Sequence, residues 1–367
     1  MEKDKFYGLD HLRALAIILI LLYHYRMFKH PEWIDTIGWI GWTGVDLFFV
    51  LSGFLISNQL FREIKEHQNI DLKTFFIKRF FRIIPPYFFT LMLYFCFPIF
   101  REREALPSVW KFISFTQNYG LNVIEKGTFS HAWSLCIEEQ FYLLLPVLLL
   151  IFIKIKRIYY LPFGTLLLIG ISISLRYFSW NEYIVPNLET SDFWKEWYMK
   201  IYYPTYTRFD GLAIGVLIGY FYQFNLKFKA IINKNGNYFL ALGILLITFS
   251  LWFCRDQYSE KASVLGFTFV AISYGILLLG AISTSSFLGR KRNYFTSQLA
   301  ILSYSIYLSH KGIIHLIQLF LEKNNINSST TLTVTICFCL CIIVSIFYRF
   351  VIEKPSARIK NILIDKN

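Results

Sequence analysis

Runs of about 16 to 22 mostly apolar residues recur ten times along this chain, separated by short polar or basic stretches. They lie near 12–28, 43–60, 84–100, 133–153, 158–178, 209–224, 238–254, 263–282, 299–320 and 331–351. As helices rising about 1.5 Å per residue, they are long enough to cross about 30 Å of hydrocarbon. The pattern predicts an all-α polytopic bundle of about ten transmembrane helices. The first run follows MEKDKFYGLDHLR without an A-x-A-like cleavage site, so it reads as a retained span rather than a signal peptide. With no repeat and no low-complexity tract, residues 1–367 are expected to form a single domain without an appended soluble one.

Composition agrees with this reading: 55% of residues are hydrophobic, 17% are charged, and the mean hydropathy is +0.46. The formal charge of +13, from 37 Lys+Arg against 24 Asp+Glu, would suggest nucleic acid as the partner of a soluble protein. Here membrane topology uses the charge first, and no nucleic-acid partner is expected. With the N-terminus inside, the inner segments hold 23 of the 37 basic residues, which puts both termini in the cytoplasm of a multi-pass cell-membrane protein. The six cysteines sit within or at the ends of apolar runs, at spacings suited neither to disulfides nor to zinc, and no metal is expected. Two long outer loops, 101–132 and 179–207, are rich in aromatic residues. These suit either a membrane interface or, in the 193–206 segment, a lid over a sugar acceptor.

A titratable group within a span costs a few kcal/mol to insert, so each is a functional candidate or a paired structural group. Arg13 and His24 are eleven residues apart, close to three full turns, and therefore share one helix face about 16 Å apart. Asp46, Glu138, Glu139 and Asp210 are expected at depths near His24, where a carboxylate would fix its tautomer and make it a better base. Each carboxylate equally suits a structural pairing with a nearby arginine, such as Arg208 for Asp210. Arg79 and Arg82 share a helical turn just before Pro85 and Pro86, which are expected to break that helix and start the third span. Two guanidinium groups on one face suit a polyphosphate. His310 lies mid-span, where a structural hydrogen bond is the expected role and support of the site the alternative; Glu353 and Lys354 are expected to pair with Arg349. Intramembrane His and carboxylates also suit a proton-coupled transporter, although no internal repeat supports one.

The segments FYGLDHLRALAIILILLYHY, GVDLFFVLSGFLIS, KRFFRIIPPY, HAWSLCIEEQFYLLLP, TRFDGLAIG, SYSIYLSH and IEKPSARI together resemble the acyltransferase 3 family of integral-membrane O-acyltransferases. The resemblance runs over nearly the whole chain. It implies transfer of an acyl group, in the first instance acetyl, from cytoplasmic acyl-CoA to a hydroxyl of an extracytoplasmic or lipid-linked glycan such as a polysaccharide or lipopolysaccharide. A small-molecule acceptor is the alternative. Acyl-CoA would be a donor substrate, with no permanently bound cofactor. The family's Arg-and-His motif falls on Arg13 and His24, its paired arginines on Arg79 and Arg82, its glutamate on Glu138 and its second-span aspartate on Asp46. The implied site has catalytic His24, Glu138 and Asp46, and acyl-CoA-binding Arg13, Arg79 and Arg82. Asp210, Glu139 and His310 lend support. General-base catalysis by His24 and a covalent acyl-His intermediate both remain open.

Overall fold

Every predicted apolar run forms a helix. The structure, a computed structural model, describes residues 6–365, and among these there is no β-strand. The ten long helices are α1 (Tyr7–Tyr25), α2 (Thr43–His67), α3 (Leu72–Cys96), α4 (Trp133–Lys154), α5 (Leu161–Ser179), α6 (Asp210–Phe224), α7 (Gly236–Phe253), α8 (Phe267–Ile282), α9 (Tyr294–Lys323) and α10 (Thr331–Tyr348). A shorter amphipathic helix, α11 (Lys354–Asp365), follows α10 after a π-helical turn at Arg349–Glu353. Seven stretches are long and apolar enough to cross a membrane on their own. The helices outside that set are α3, whose first half carries Lys73, Lys78, Arg79 and Arg82; α6, with 15 residues; and α9, which carries His310 and Lys311 mid-helix. The chain is a multi-pass membrane protein.

Burial sorts the helices. Most of α2, α6 and α8 is enclosed, whereas α5, α7 and α10 turn leucine, isoleucine and phenylalanine outward, as a lipid-facing rim requires. The tightest seam is between α2 and α6. Gly211, Gly215 and Gly219, at four-residue spacing, meet the α2 backbone or side chains near Asp46–Phe49, Val50–Phe54 and Ser57 in turn, so the two helices run parallel. A Cβ at Gly215 would collide with the Val50 carbonyl and the Phe54 amide, which is why this face is glycine.

The prolines do not end a helix. α3 continues from Leu72 through Pro85 and Pro86 to Cys96, twelve residues before the predicted start of that span. Where a proline removes backbone donors inside a membrane helix, neighbouring side chains can satisfy the local carbonyls. Pro85 and Pro86 leave only the Phe81 and Arg82 carbonyls without their amide partners four residues on, and the neighbouring Ile83 carbonyl accepts a side-chain bond from Tyr304 of α9 at 3.0 Å. Arg79 and Arg82 therefore sit on the same rigid helix as the prolines rather than before a break. The expected grouping of Arg349, Glu353 and Lys354 is also replaced: Glu353 accepts from the Ser305 hydroxyl, and Lys354 lies 3.8 Å from the centre of the Phe350 ring.

Candidate active site

Two cavities enter the bundle from opposite ends. The first, about 230 Å³, is lined by Arg13 of α1, Arg79 and Arg82 of α3, and Glu138, Glu139 and Tyr142 of α4. Ile20, Val45, Ser134 and Tyr307 also line it. Tyr142 donates to Glu138 at 2.9 Å, and the Arg79 guanidinium lies 5.1 Å from the centre of the Tyr142 ring. The three arginines expected to act together thus share one chamber, and the two glutamates partly balance their charge.

The second cavity, about 450 Å³, opens at the other end of α1. Its polar lining includes His24, His131, Ser130 and Lys311; Trp133, Trp194, Tyr198, Tyr202 and Tyr203 supply aromatic walls. Residues of the aromatic 193–206 segment therefore face this vestibule. Ile20 and Val45 line both cavities, so the two chambers meet at a thin apolar wall close to His24.

The hydrogen-bond chain around His24 fixes its tautomer. His310 Nδ1 lies 2.8 Å from the Tyr307 carbonyl and 3.1 Å from that of Ile306; carbonyls only accept, so Nδ1 carries the proton. Nε2 of His310 is then an acceptor, and His24 Nδ1 donates to it at 2.8 Å. The lone pair of His24 is left on Nε2. A third imidazole, His131, sits with ring centre 5.8 Å from that of His24 and 4.8 Å from that of His310. Its Nε2 donates to the Leu308 carbonyl at 3.3 Å, and its buried Nδ1 has no partner. Tyr307 donates to the His131 carbonyl and bonds Ser134 at 2.6 Å, linking α9 to the start of α4. Lys311 lies buried 3.3 Å from the Ser130 hydroxyl and 3.6 Å from Glu102. No group suited to hold a metal ion occurs among the described residues.

The expected carboxylate partners are placed elsewhere. Asp46 accepts from Arg208 at 2.8 Å, and that guanidinium lies 4.0 Å from the centre of the Phe267 ring and 4.8 Å from that of Tyr202. Asp210 pairs not with Arg208 but with Arg176, through contacts of 2.5 and 3.2 Å, and also accepts from Thr268 at 2.6 Å. Arg176 further donates to the Val264 and Thr207 carbonyls. These two buried pairs tie the outer loop to α2, α5, α6 and α8. Glu138 and Glu139 lie at the arginine chamber, deeper than predicted. The residues of this segment that reach His24 are Ser130 and His131, and Glu138 is seven residues, roughly 10 Å of helix rise, further in. His24's observed partner is His310.

The sequence reading passed over His131, Lys311 and Arg176. Lys311 and Arg176 carry charge within apolar runs, the signal that singled out the other candidates. His131 is the first residue of HAWSLCIEEQFYLLLP, a segment already singled out.

The sequence model described as Acyltransferase domain matches residues 6–350. The chain is 31% identical over 344 residues to the Peptidoglycan O-acetyltransferase OatA of Listeria monocytogenes, a match covering 86% of this chain and 50% of that protein. It is 28% identical over 346 residues to the O-acetyltransferase OatA of Staphylococcus aureus, covering 87% of this chain and 52% of that protein. The chain thus spans about half the length of these curated relatives. No solved structure matches it significantly.

Proposed function

Because this chain belongs to the acyltransferase 3 family, we propose that it is a membrane O-acetyltransferase that takes an acetyl group from acetyl-CoA on the arginine side and delivers it to a glycan hydroxyl in the aromatic vestibule. The observation that carries this reading is the meeting of two differently built chambers at Ile20 and Val45, beside a histidine whose free lone pair is fixed by His310.

The arginine chamber suits the donor. Guanidinium groups grip phosphate oxygens in pairs, and Arg13 lies about 16 Å along α1 from His24, the reach of an extended pantetheine arm. The positive-inside count supports the cytoplasmic side for this chamber. The vestibule suits the acceptor, because aromatic faces stack on sugar rings while His24 waits at the floor. In the reaction, His24 Nε2 takes the proton of the acceptor hydroxyl as its oxygen attacks the thioester carbonyl. The carbon–sulfur bond then breaks, and the imidazolium returns its proton to the departing thiolate. The products are the acetyl ester and free CoA. The imidazolium forms with His310 still accepting from Nδ1, so the bond that fixes the tautomer also stabilises the charge.

The relatives' names favour a cell-wall glycan such as peptidoglycan over lipopolysaccharide as the acceptor. The test is transfer of radiolabelled acetate from acetyl-CoA to soluble peptidoglycan fragments by purified protein in lipid nanodiscs. His24→Ala should retain CoA binding and lose transfer at least a hundredfold, the usual contribution of a positioned base. A His24→Ala protein working at more than about a tenth of the normal rate would overturn the base assignment.

A further inference from the structure

The arginine chamber, at about 230 Å³, is smaller than the roughly 300 to 1,000 Å³ of sites that enclose drug-sized ligands, and coenzyme A is larger than most of these. A second chamber of about 370 Å³ opens directly from it. The two share Gln59, Arg79, Arg82, Ser303 and Tyr304, so Arg79 and Arg82 stand at the threshold rather than at the end of a closed pocket. The outer chamber adds Phe75, Lys78 and Phe81 from α3, and Glu353, Ala357 and Lys360 from the segment leading into and through α11.

Lys78 and Arg82 are four residues apart on α3 and face the same way, with Arg79 beside them. Lys360 approaches from the opposite wall. On α11, Ala357 and Lys360 face the chamber, whereas Ile359 and Ile362 are 51% and 54% exposed on another face. An apolar face of that kind suits a helix lying at the membrane surface, which holds its lysine at the water boundary. Four cations thus face one carboxylate, Glu353, and that carboxylate already accepts from Ser305. A third cavity beyond shares Gln59, Phe75, Lys78 and Lys360 but adds Glu63, Glu66 and Asp71 against Arg62, so its carboxylates and its fixed cations balance. That balance leaves the excess of positive charge in the outer chamber, where one carboxylate faces four cations.

Resting on the acetyl-CoA donor reading, we propose that the outer chamber is the subsite for the 3′-phosphoadenosine end of the donor. Lys78 and Lys360 meet the 3′-phosphate, Arg79 and Arg82 the diphosphate at the threshold, and Phe75 and Phe81 flank the base. The donor is then a free nucleotide thioester and not an acyl group on the phosphopantetheine of a carrier protein, because the latter leaves this chamber empty.

The test compares affinities of CoA, 3′-dephospho-CoA and 4′-phosphopantetheine for the protein in nanodiscs by calorimetry. Wild type should bind CoA at least tenfold more tightly than 3′-dephospho-CoA, and phosphopantetheine more weakly still. The double variant Lys78→Gln, Lys360→Gln should lose that tenfold preference while binding 3′-dephospho-CoA within twofold of wild type. Lys78→Arg with Lys360→Arg should keep the preference, which separates loss of charge from loss of fold. Equal binding of CoA and 3′-dephospho-CoA by wild type would overturn the subsite and leave the donor reading standing, as would a glutamine variant equally weakened for both. No binding of any of the three by wild type would overturn both.

Discussion

Replacing His310 with leucine tests whether the pairing of the two imidazoles has a chemical role. The side chain is fully buried, and leucine fills similar space, so packing is largely kept while His24 Nδ1–H loses its acceptor. In the ground state that bond joins neutral groups and contributes about 0.5–1.5 kcal/mol; once Nε2 takes up the acceptor proton it is charge-assisted, at about 1.5–3 kcal/mol. The difference of about 1–1.5 kcal/mol corresponds to a five- to thirteen-fold loss of rate. An unheld ring also populates the other tautomer and rotates, and misplacement by about 1 Å can cost a further hundredfold. His310→Leu should therefore lower kcat by about ten- to a thousandfold. The KM for acetyl-CoA should stay near wild type, because the arginines line the other chamber. His310→Gln, whose amide oxygen can accept from Nδ1–H, should recover to within about tenfold of wild type. Initial rates of radiolabel transfer in nanodiscs, with melting temperature as a check on folding, decide the matter. A folded His310→Leu protein with more than half the wild-type kcat, or a glutamine variant no better than leucine, would refute the role.

Three further outcomes follow. Asp46→Ala or Asp210→Ala leaves a buried guanidinium, Arg208 or Arg176, without its carboxylate and should cost about 3–5 kcal/mol, read as a sharp fall in detergent melting temperature; wild-type melting in both would show that the pairs do not hold the outer loop. Gly215→Val should destabilise the α2–α6 seam by about 1–3 kcal/mol. Gly164→Ala, which adds a Cβ in open space, should stay within about 0.5 kcal/mol in the same thermal assay, and equal effects of the two would contradict the close-packing argument. Reporters inserted after Lys156 and near Asn187 should report opposite sides of the membrane, cytoplasm for the first, and the reverse assignment would exchange the donor and acceptor sides.

The helices were legible because a bilayer imposes the same length on every span, so ten apolar runs stand out without any knowledge of their packing. The shared face of Arg13 and His24 was legible for a similar reason: both lie on one helix, and a helix has one period. What escaped were relations between helices. His24 and His310 are 286 residues apart, and no periodicity connects them. The two Asp–Arg pairs were ambiguous because Asp210 has Arg208 as a sequence neighbour but Arg176 as a spatial one. The depth of Glu138 was misjudged because Ser130 and His131, just ahead of α4, reach His24's level and carry the glutamate two turns further in. Pro85 and Pro86 misled because the helix-breaking rule is drawn from water; inside a membrane bundle, where an unwound turn would find no water to bond, the helix continues and only the Phe81 and Arg82 carbonyls lose their amide partners.

The wall of Ile20 and Val45 between the chambers has an electrical meaning as well. In the proposed arrangement, with water reaching the wall from both chambers, most of the voltage across the membrane would fall over those two side chains rather than over the full thickness of the bilayer. A charge crossing there alone would feel nearly all of it, about 2.3 kcal/mol for each 100 mV. In the proposed reaction an acyl group passes outward from sulfur to oxygen while one proton passes inward from oxygen to sulfur. Counted across the wall, this is an even exchange of positive charge. Such an enzyme can modify the outside of an energised cell without drawing on its membrane potential or discharging it.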